Sequence, residues 1–130
     1  MFDHEGKVLL TRRSHNDRWV TAGGPLREHE FVGTAATRLA MDLLAVRLSP
    51  HRVLGCYHEP SRNRQEQPNK IKFAVASTLS PEMANQINLR RAEGEGAELQ
   101  WWEPATLLAA STVAPSVKNY FSPTPWNRIL

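Results

Sequence analysis

The chain of 130 residues contains a single cysteine, Cys56, and no apolar run as long as a membrane span. A lone cysteine cannot form an internal disulfide, which suits a reducing compartment. A membrane-spanning helix needs about 20 apolar residues, so the sequence predicts no transmembrane segment. The start, Met1-Phe2-Asp3-His4-Glu5-Gly6, lacks the basic and then apolar pattern of a secretory signal. We therefore expect a cytoplasmic protein that does not bind a membrane.

The excess of positive over negative charge is also small. Sixteen Lys and Arg residues against 13 Asp and Glu residues leave a net charge of +3. The arginines are scattered, apart from the pairs Arg12-Arg13 and Arg90-Arg91. Proteins that bind nucleic acid usually concentrate basic residues on one face or in one run, so this pattern argues against a nucleic-acid partner. Arginine pairs do suit phosphate geometry, and a local site for an anionic small molecule is compatible with the charge.

The length and a hydrophobic fraction of 41% predict a single domain over residues 1–130. Apolar residues alternate or recur at helical spacing along most of the chain. The predicted strands are 7–13, 53–58, 70–78 and 98–102; the predicted helices are 31–46 and 104–110, with single helical turns in the loop 80–96 and the tail 115–130. This order predicts an α/β (α+β) fold with a mixed sheet between helices.

The chain opens on a turn at Asp3-His4-Glu5-Gly6, where a preceding strand is normally found. We therefore expect the first strand of the fold to be missing, through a late start or a truncation. A sheet edge left unpaired in this way invites association, so a homodimer is compatible with the sequence.

The segment that carries chemistry lies between Trp19 and Val46. Gly24, Glu30 and Arg38 follow the spacing Gly-x5-Glu-x7-Arg. With the aliphatic Val46, this segment resembles the box of the Nudix (MutT-like) hydrolase superfamily, Gly-x5-Glu-x7-Arg-Glu-Uaa-x-Glu-Glu-x-Gly-Uaa, in which Uaa is a bulky aliphatic residue. The segments 6–13 and 98–104 are similar to the family's flanking strands, so the resemblance covers most of the chain. It implies an α/β/α sandwich with a mixed β-sheet.

The resemblance also implies a reaction. Three glutamates at i, i+3 and i+4 on one helix face, with the carbonyl of the box glycine, hold Mg²⁺ or Mn²⁺ in this family. The metal activates water against the diphosphate linkage of a nucleoside-diphosphate derivative, so the substrate is a small, nucleotide-like phosphorylated molecule. Gly23, Gly24, Glu30 and Arg38 then form the structural part of the box, the last two as an ion pair.

Three residues near the box, Arg12, Arg13 and Trp19, are the candidate substrate-binding residues. Neighbours on a strand point to opposite faces, so we expect at most one of the two arginines to face a pocket.

The sequence departs from the family pattern at the metal-binding positions. The three glutamate positions hold Leu39, Asp42 and Leu43, and the second glycine position holds Ala45. A leucine offers no lone pair to a metal, so the affinity for Mg²⁺ or Mn²⁺ should fall unless other ligands substitute. The spacing of Leu39 and Leu43 is that of core residues.

A reduced ligand set can still be named. The candidate metal ligands are the carbonyl of Gly24 and the carboxylates of Asp42 and Glu95, and the two carboxylates are the candidate catalytic residues. Glu95 occupies the loop in which family members often carry a further acidic ligand, and Glu93 and Glu98 are alternatives to it. Asp42 is equally compatible with an exposed helix position or with an i,i+4 partnership with Arg38. A cluster such as Glu93, Glu95 and Glu98 is most often a solvated loop.

Two functions thus remain open, a divergent and weak Nudix hydrolase or a catalytically inactive Nudix domain that binds a nucleotide or a partner. Type I isopentenyl-diphosphate isomerases share the fold, and the segment 121–126 resembles their Pro-Trp element. Their Cys-Gly-His motif is Ala22-Gly23-Gly24 here, and their acidic pair falls on residues 68–70, which are not acidic. These differences argue against isomerase activity.

Overall fold

The computed structural model describes residues 1–48, 52–59, 69–92, 97–125 and 127–129. The elements in chain order are β1 (Val8–Arg12), α1 (Val32–Leu44), β2 (Arg52–Glu59), β3 (Lys70–Ala76), α2 (Pro81–Ala92), β4 (Glu98–Trp102), α3 (Pro104–Ala109) and α4 (Pro115–Phe121). In this part of the chain no helix is long and apolar enough to cross a membrane. The mixture of helices and strands confirms the predicted α+β class.

The described strands pair in two antiparallel sheets, β1 with β4 and β2 with β3. The first pair runs in register from Val8 opposite Trp102 to Arg12 opposite Glu98. Isolated bridges extend these pairs, antiparallel between Thr11 and Val20 and parallel between Phe2 and Thr78 and between Trp19 and Val113. A mixed sheet contains parallel as well as antiparallel pairs. Among the described residues, parallel pairing occurs only in these single bridges.

The turn that opens the chain is held by its first residue. The carboxylate of Asp3 accepts hydrogen bonds from the amides of Glu5, at 2.9 Å, and Lys7, at 2.8 Å. Gly6 has a φ of 83°, a backbone conformation that glycine adopts without steric cost. Before the turn, the amide of Phe2 donates to the carbonyl of Ser77 at 2.8 Å. The expected absence of a first strand remains a prediction.

Two apolar clusters lie on the opposite faces of the β1–β4 sheet. Val8 and Leu10 belong to one cluster and Leu9 to the other, because side chains alternate along a strand. The first cluster also contains Trp19, Trp102, Leu107, Val113 and Val117, and the second contains Ala40, Leu44, Val46, Leu48, Leu79 and Ile87. Helices α3 and α4 therefore cover one face, and α1 and α2 cover the other.

Helix α2 corrects the sequence prediction of a loop with one helical turn at 80–96. It spans 12 residues, with Pro81 at its start and the hydroxyl of Ser80 accepting a hydrogen bond from the amide of Met83 at 3.3 Å. Ile87 is fully buried in the cluster beneath it. The indole nitrogen of Trp101 donates to Asn88 at 3.0 Å and ties the helix to β4. Burial of a few apolar side chains thus outweighs the polar composition of the segment.

Helix α1 ends earlier than its predicted limit at residue 46. Its C-cap is Ala45, with φ 53° and ψ 33°, a left-handed conformation. The amide of Ala45 donates to the carbonyl of Met41 at 3.0 Å, and the next residue, Val46, turns back into the core. The family resemblance places its second glycine at this position, and a left-handed C-cap is where helices favour glycine.

Candidate small-molecule site at the end of strand β1

The loop before α1 is held to the helix by an ion pair between Glu30 and Arg38. The guanidinium of Arg38 donates to both carboxylate oxygens of Glu30, from Nε at 2.8 Å and from Nη2 at 2.9 Å. Nη2 also donates to the carbonyl of Pro25 at 2.9 Å, and the amide of Arg27 donates to Glu30 at 3.0 Å. Two-point contact of this kind fixes geometry as well as charge.

These contacts shift the acid-base equilibria of both partners. The hydrogen bonds from Arg38 and from the amide of Arg27 lower the pKa of Glu30 from 4.5 to about 2. The same hydrogen bond to Glu30 raises the pKa of Arg38. Both groups are therefore charged at neutral pH, and the box loop is held by a full ion pair.

The two box glycines differ in their surroundings. A β-carbon built on Gly24 would lie 2.7 Å from Cδ2 of Leu39, whereas one built on Gly23 would meet nothing within 4 Å. Leu39 holds the first of the three helix positions at which the family resemblance implies a glutamate. An aliphatic side chain therefore packs against the glycine that was expected to offer its carbonyl to a metal.

The remaining residues of that helix face are also unlike a metal site. Leu43, which the spacing placed in the core, is 47% exposed, so this prediction is wrong. The buried stripe of α1 is formed by Ala35, Ala40 and Leu44, and Leu43 lies about 100° of helix rotation away from Leu44. The carboxylate of Asp42 is 55% exposed and lies 3.8 Å from Nη1 of Arg38.

A cavity of about 280 Å³ lies beside this helix face. It is bounded by the end of β1, the segment 20–23, the last turn of α1, the middle of α2 and the start of β4. The lining residues are Thr11, Arg12, Arg13, Val20, Thr21, Ala22, Gly23, Leu43, Leu44, Ile87, Ala97 and Leu99. Ile87 lies in the segment that was predicted as a loop. Ser80, Pro81 and the spacing of Met83, Ala84 and Ile87 are the signals by which this part of the wall could have been found.

Both residues of the arginine pair line the cavity. The guanidinium of Arg12 nevertheless lies against Trp19, in the cluster on the opposite face of the sheet, so the expectation that at most one of the two side chains faces the pocket remains a prediction. Arg13 follows the last residue of β1. The side chain of Arg12 contacts two neighbouring side chains. Its Nε donates to the carboxylate of Glu98, and its guanidinium lies 4.4 Å from the ring centroid of Trp19. The hydrogen bond from Arg12 lowers the pKa of Glu98.

Arg13, in contrast, is exposed, and no hydrogen bond or ion pair joins its side chain to another residue in the described ranges. It is therefore a cation at the wall of the cavity whose charge the described part of the chain does not neutralise.

Trp19 lies in the core and not on the cavity wall. Its side chain is 6% exposed and packs edge-on against Trp102, with ring centroids 6.0 Å apart. Of the three candidate substrate-binding residues, the structure thus brings Arg12 and Arg13 to the cavity and buries Trp19 beneath Arg12.

A bound divalent cation does not fit the donor set that the structure describes. In residues 1–48, 52–59, 69–92, 97–125 and 127–129, no three His, Cys, Asp or Glu side chains are grouped so that they could hold a metal ion. Asp42 lies beside Arg38, and Glu98 is paired with Arg12. Glu95 and Glu93 lie outside the described residues, as do Pro68 and Trp126 of the isomerase comparison.

Comparison with known proteins agrees with the fold. A family model described as NUDIX domain matches residues 1–123. The chain is similar to the solved structure of the MutT protein from Methanosarcina mazei Go1, with a TM-score of 0.66 and 17% sequence identity over 92% of this chain and 83% of that chain. No curated protein matches the chain. The structural likeness confirms the predicted Nudix-type fold, and the match of the family model over most of the 130 residues shows that this chain belongs to the Nudix family.

Proposed function

We propose that this Nudix domain binds a small phosphorylated molecule in the cavity beside β1, with Arg13 as the phosphate-binding cation and without a resident metal. The observation that carries the proposal is the position of Arg13, an exposed arginine without a described partner at the wall of a cavity. Membership of the Nudix family supports a small phosphorylated substrate class.

The division of labour between the two arginines follows from their contacts. The charge of Arg12 is directed to Glu98, and the stacking of its guanidinium on Trp19 fixes it in place. Arg13 is free of such contacts in the described residues and can turn its planar fork of donors toward a phosphate. Because Leu39 and Leu43 replace carboxylates near the cavity, Asp42 is the one acidic side chain left at the three helix positions, and its carboxylate lies beside Arg38.

The second candidate is slow hydrolysis of a diphosphate linkage in a nucleoside-diphosphate derivative. The exposed carboxylate of Asp42 favours it, since this is the one acidic residue left on the helix positions that the family resemblance assigns to metal binding. This candidate needs Glu95 as a further carboxylate, with Mg²⁺ or Mn²⁺ supplied from solution.

A single set of measurements separates the two candidates. Dinucleoside polyphosphates, ADP-ribose, nucleotide sugars, NADH and nucleoside triphosphates are tested for hydrolysis with Mg²⁺ and with Mn²⁺. Thermal stabilisation by these compounds and by inorganic phosphate is measured in EDTA. Binding at Arg13 without a resident metal predicts stabilisation in EDTA by inorganic phosphate or by at least one of these compounds, and no turnover at high enzyme concentration. Turnover that Asp42→Ala abolishes establishes the hydrolase instead.

Two variants test the role of Arg13. Arg13→Gln removes the charge at the cavity, and Arg47→Gln removes the charge of another exposed arginine that does not line it. The loss of a charge-assisted contact predicts about tenfold weaker binding for Arg13→Gln, and unchanged binding for Arg47→Gln. Equal affinities in the two variants contradict a site at Arg13.

A further inference from the structure

We infer that the part of the ligand that enters this cavity is a short aliphatic group rather than a nucleobase, so that the ligand class is an amphiphilic alkyl or alkenyl phosphate. This inference rests on the proposed function, because it takes Arg13 as the residue that meets the phosphate. It specifies the organic group that is attached to that phosphate.

The inner wall of the cavity is aliphatic. Leu43 and Leu44 supply it from α1, Ile87 from α2, Leu99 from β4 and Val20 from the segment that pairs with β1. The positive charge of Arg13 lies at one end, where β1 leaves the sheet. A cavity with a cationic end and an aliphatic wall is complementary to a molecule with an anionic head and an aliphatic tail.

A nucleobase lacks suitable partners in this cavity. No aromatic, amide or carboxylate side chain occurs among the described lining residues, and Trp19 and Trp102 are buried in the cluster on the opposite face of the sheet. Trp101 lies on the same face as Leu99 but does not line the cavity, and its indole nitrogen donates to Asn88. The neutral polar side chains of that lining are the hydroxyls of Thr11 and Thr21. The ring nitrogens and exocyclic groups of a base would lose water on entry without regaining their hydrogen bonds, which opposes binding.

The size of the cavity also favours a single short chain over a dinucleotide. Its volume of about 280 Å³ lies at the lower end of the roughly 300–1,000 Å³ that is usual for small-molecule sites. A dinucleotide or a nucleotide sugar needs a second compartment for its other half. A single short chain with its phosphate at Arg13 matches the described space.

Calorimetric titration in EDTA tests the inference with inorganic phosphate, n-butyl phosphate, n-hexyl phosphate, AMP and ADP as probes. Each methylene that leaves water strengthens binding by about fourfold, so n-hexyl phosphate, with two more methylenes, should bind roughly 15-fold more tightly than n-butyl phosphate. Both alkyl phosphates should bind more tightly than AMP, which carries the same phosphate on a polar body.

Two pairs of variants make the test specific. Leu43→Ala shortens an exposed wall residue, so the fold should tolerate it, and it should weaken n-hexyl phosphate severalfold while leaving inorganic phosphate unchanged. Met41→Ala changes another exposed apolar residue of α1 that does not line the cavity, and should change neither. Arg13→Gln should weaken all five probes, and Arg47→Gln none.

The outcomes distinguish the two levels of the proposal. If AMP or ADP binds at least as tightly as n-hexyl phosphate, or if chain length has no effect, the aliphatic ligand class is overturned while phosphate binding at Arg13 stands. If none of the five probes binds, the proposed function fails as well. Chain-length dependence that Leu43→Ala reduces and Met41→Ala leaves intact supports the inference.

Discussion

Leu39 lies against Gly24 so closely that a β-carbon on the glycine would be 2.7 Å from Cδ2 of the leucine. The glycine belongs to the box loop and the leucine to the helix face on which the family resemblance implies glutamates. The contact therefore joins the loop to the helix by aliphatic packing, next to the ion pair of Glu30 with Arg38. Several consequences of this packing can be measured.

Alanine substitutions of the two box glycines should differ in their effect on the free energy of unfolding. Gly23 has open space around it, so Gly23→Ala should stabilise the protein by about 0.4–1 kcal/mol through the unfolded chain. Gly24→Ala must displace the end of Leu39 and should be about 1 kcal/mol less stable than Gly23→Ala. Urea unfolding measures both. In a Leu39→Ala background the difference should disappear, and its persistence would show that the strain is not at Leu39.

Ala45 is the residue at which a glycine should improve the fold. Its φ of 53° is costly for a residue with a β-carbon, so Ala45→Gly should raise the free energy of unfolding by about 0.5–1 kcal/mol. Ala36→Gly, within α1, is the matched control and should lower stability by about 1 kcal/mol. Destabilisation by Ala45→Gly in thermal or urea unfolding would contradict a left-handed C-cap.

The ion pair of the box loop should make stability depend on pH in a defined direction. Glu30 has a folded-state pKa of about 2, below its ordinary 4.5, so its contribution is present above pH 4.5 and is lost as the pH falls from there toward 2. Glu30→Gln should therefore be less stable than the wild type at neutral pH, and the difference should shrink steadily below about pH 5.

The control for this measurement is Glu28→Gln, which changes an exposed carboxylate of the same loop. It should follow the wild-type curve of unfolding free energy against pH within error. A gap between wild type and Glu30→Gln that is constant from neutral pH to about pH 2.5 would mean that the carboxylate does not act through its charge.

Replacing the two leucines of the box face by glutamate should create metal affinity. In Leu39→Glu/Leu43→Glu, the new carboxylates join Asp42 at i, i+3 and i+4, and oxygen ligands grouped in this way suit Mn²⁺. Binding of Mn²⁺, followed by its electron paramagnetic resonance signal, should be at least about tenfold tighter than in the wild type. Met41→Glu adds an exposed carboxylate outside this triplet and should leave Mn²⁺ affinity unchanged; comparable affinity in wild type and double variant would contradict the expectation.

Much of the local structure follows from the sequence because it depends on near neighbours. The alternation around Leu9 predicts β1, and Pro104 at a helix start predicts α3. The spacing of Glu30 and Arg38 in the box predicts the ion pair that joins the loop to α1. Helix α2 has a sequence signal at its start in Ser80 and Pro81, but its composition is polar. The burial of Ile87 and the contact of Asn88 with Trp101, which stabilise the helix, form only when the chain folds.

The sequence alone thus determines the family and the order of most strands and helices, because the spacing of the box and the alternation of apolar residues are properties of the sequence. Tertiary structure decided which side chains can act. Glu98, 86 positions away in the sequence, engages Arg12 and leaves Arg13 without a described partner, while packing against Trp102 buries Trp19. The rotation of α1 against the sheet exposes Leu43 at the cavity. Charge pairing and burial depend on contacts between distant segments, and no local pattern records them.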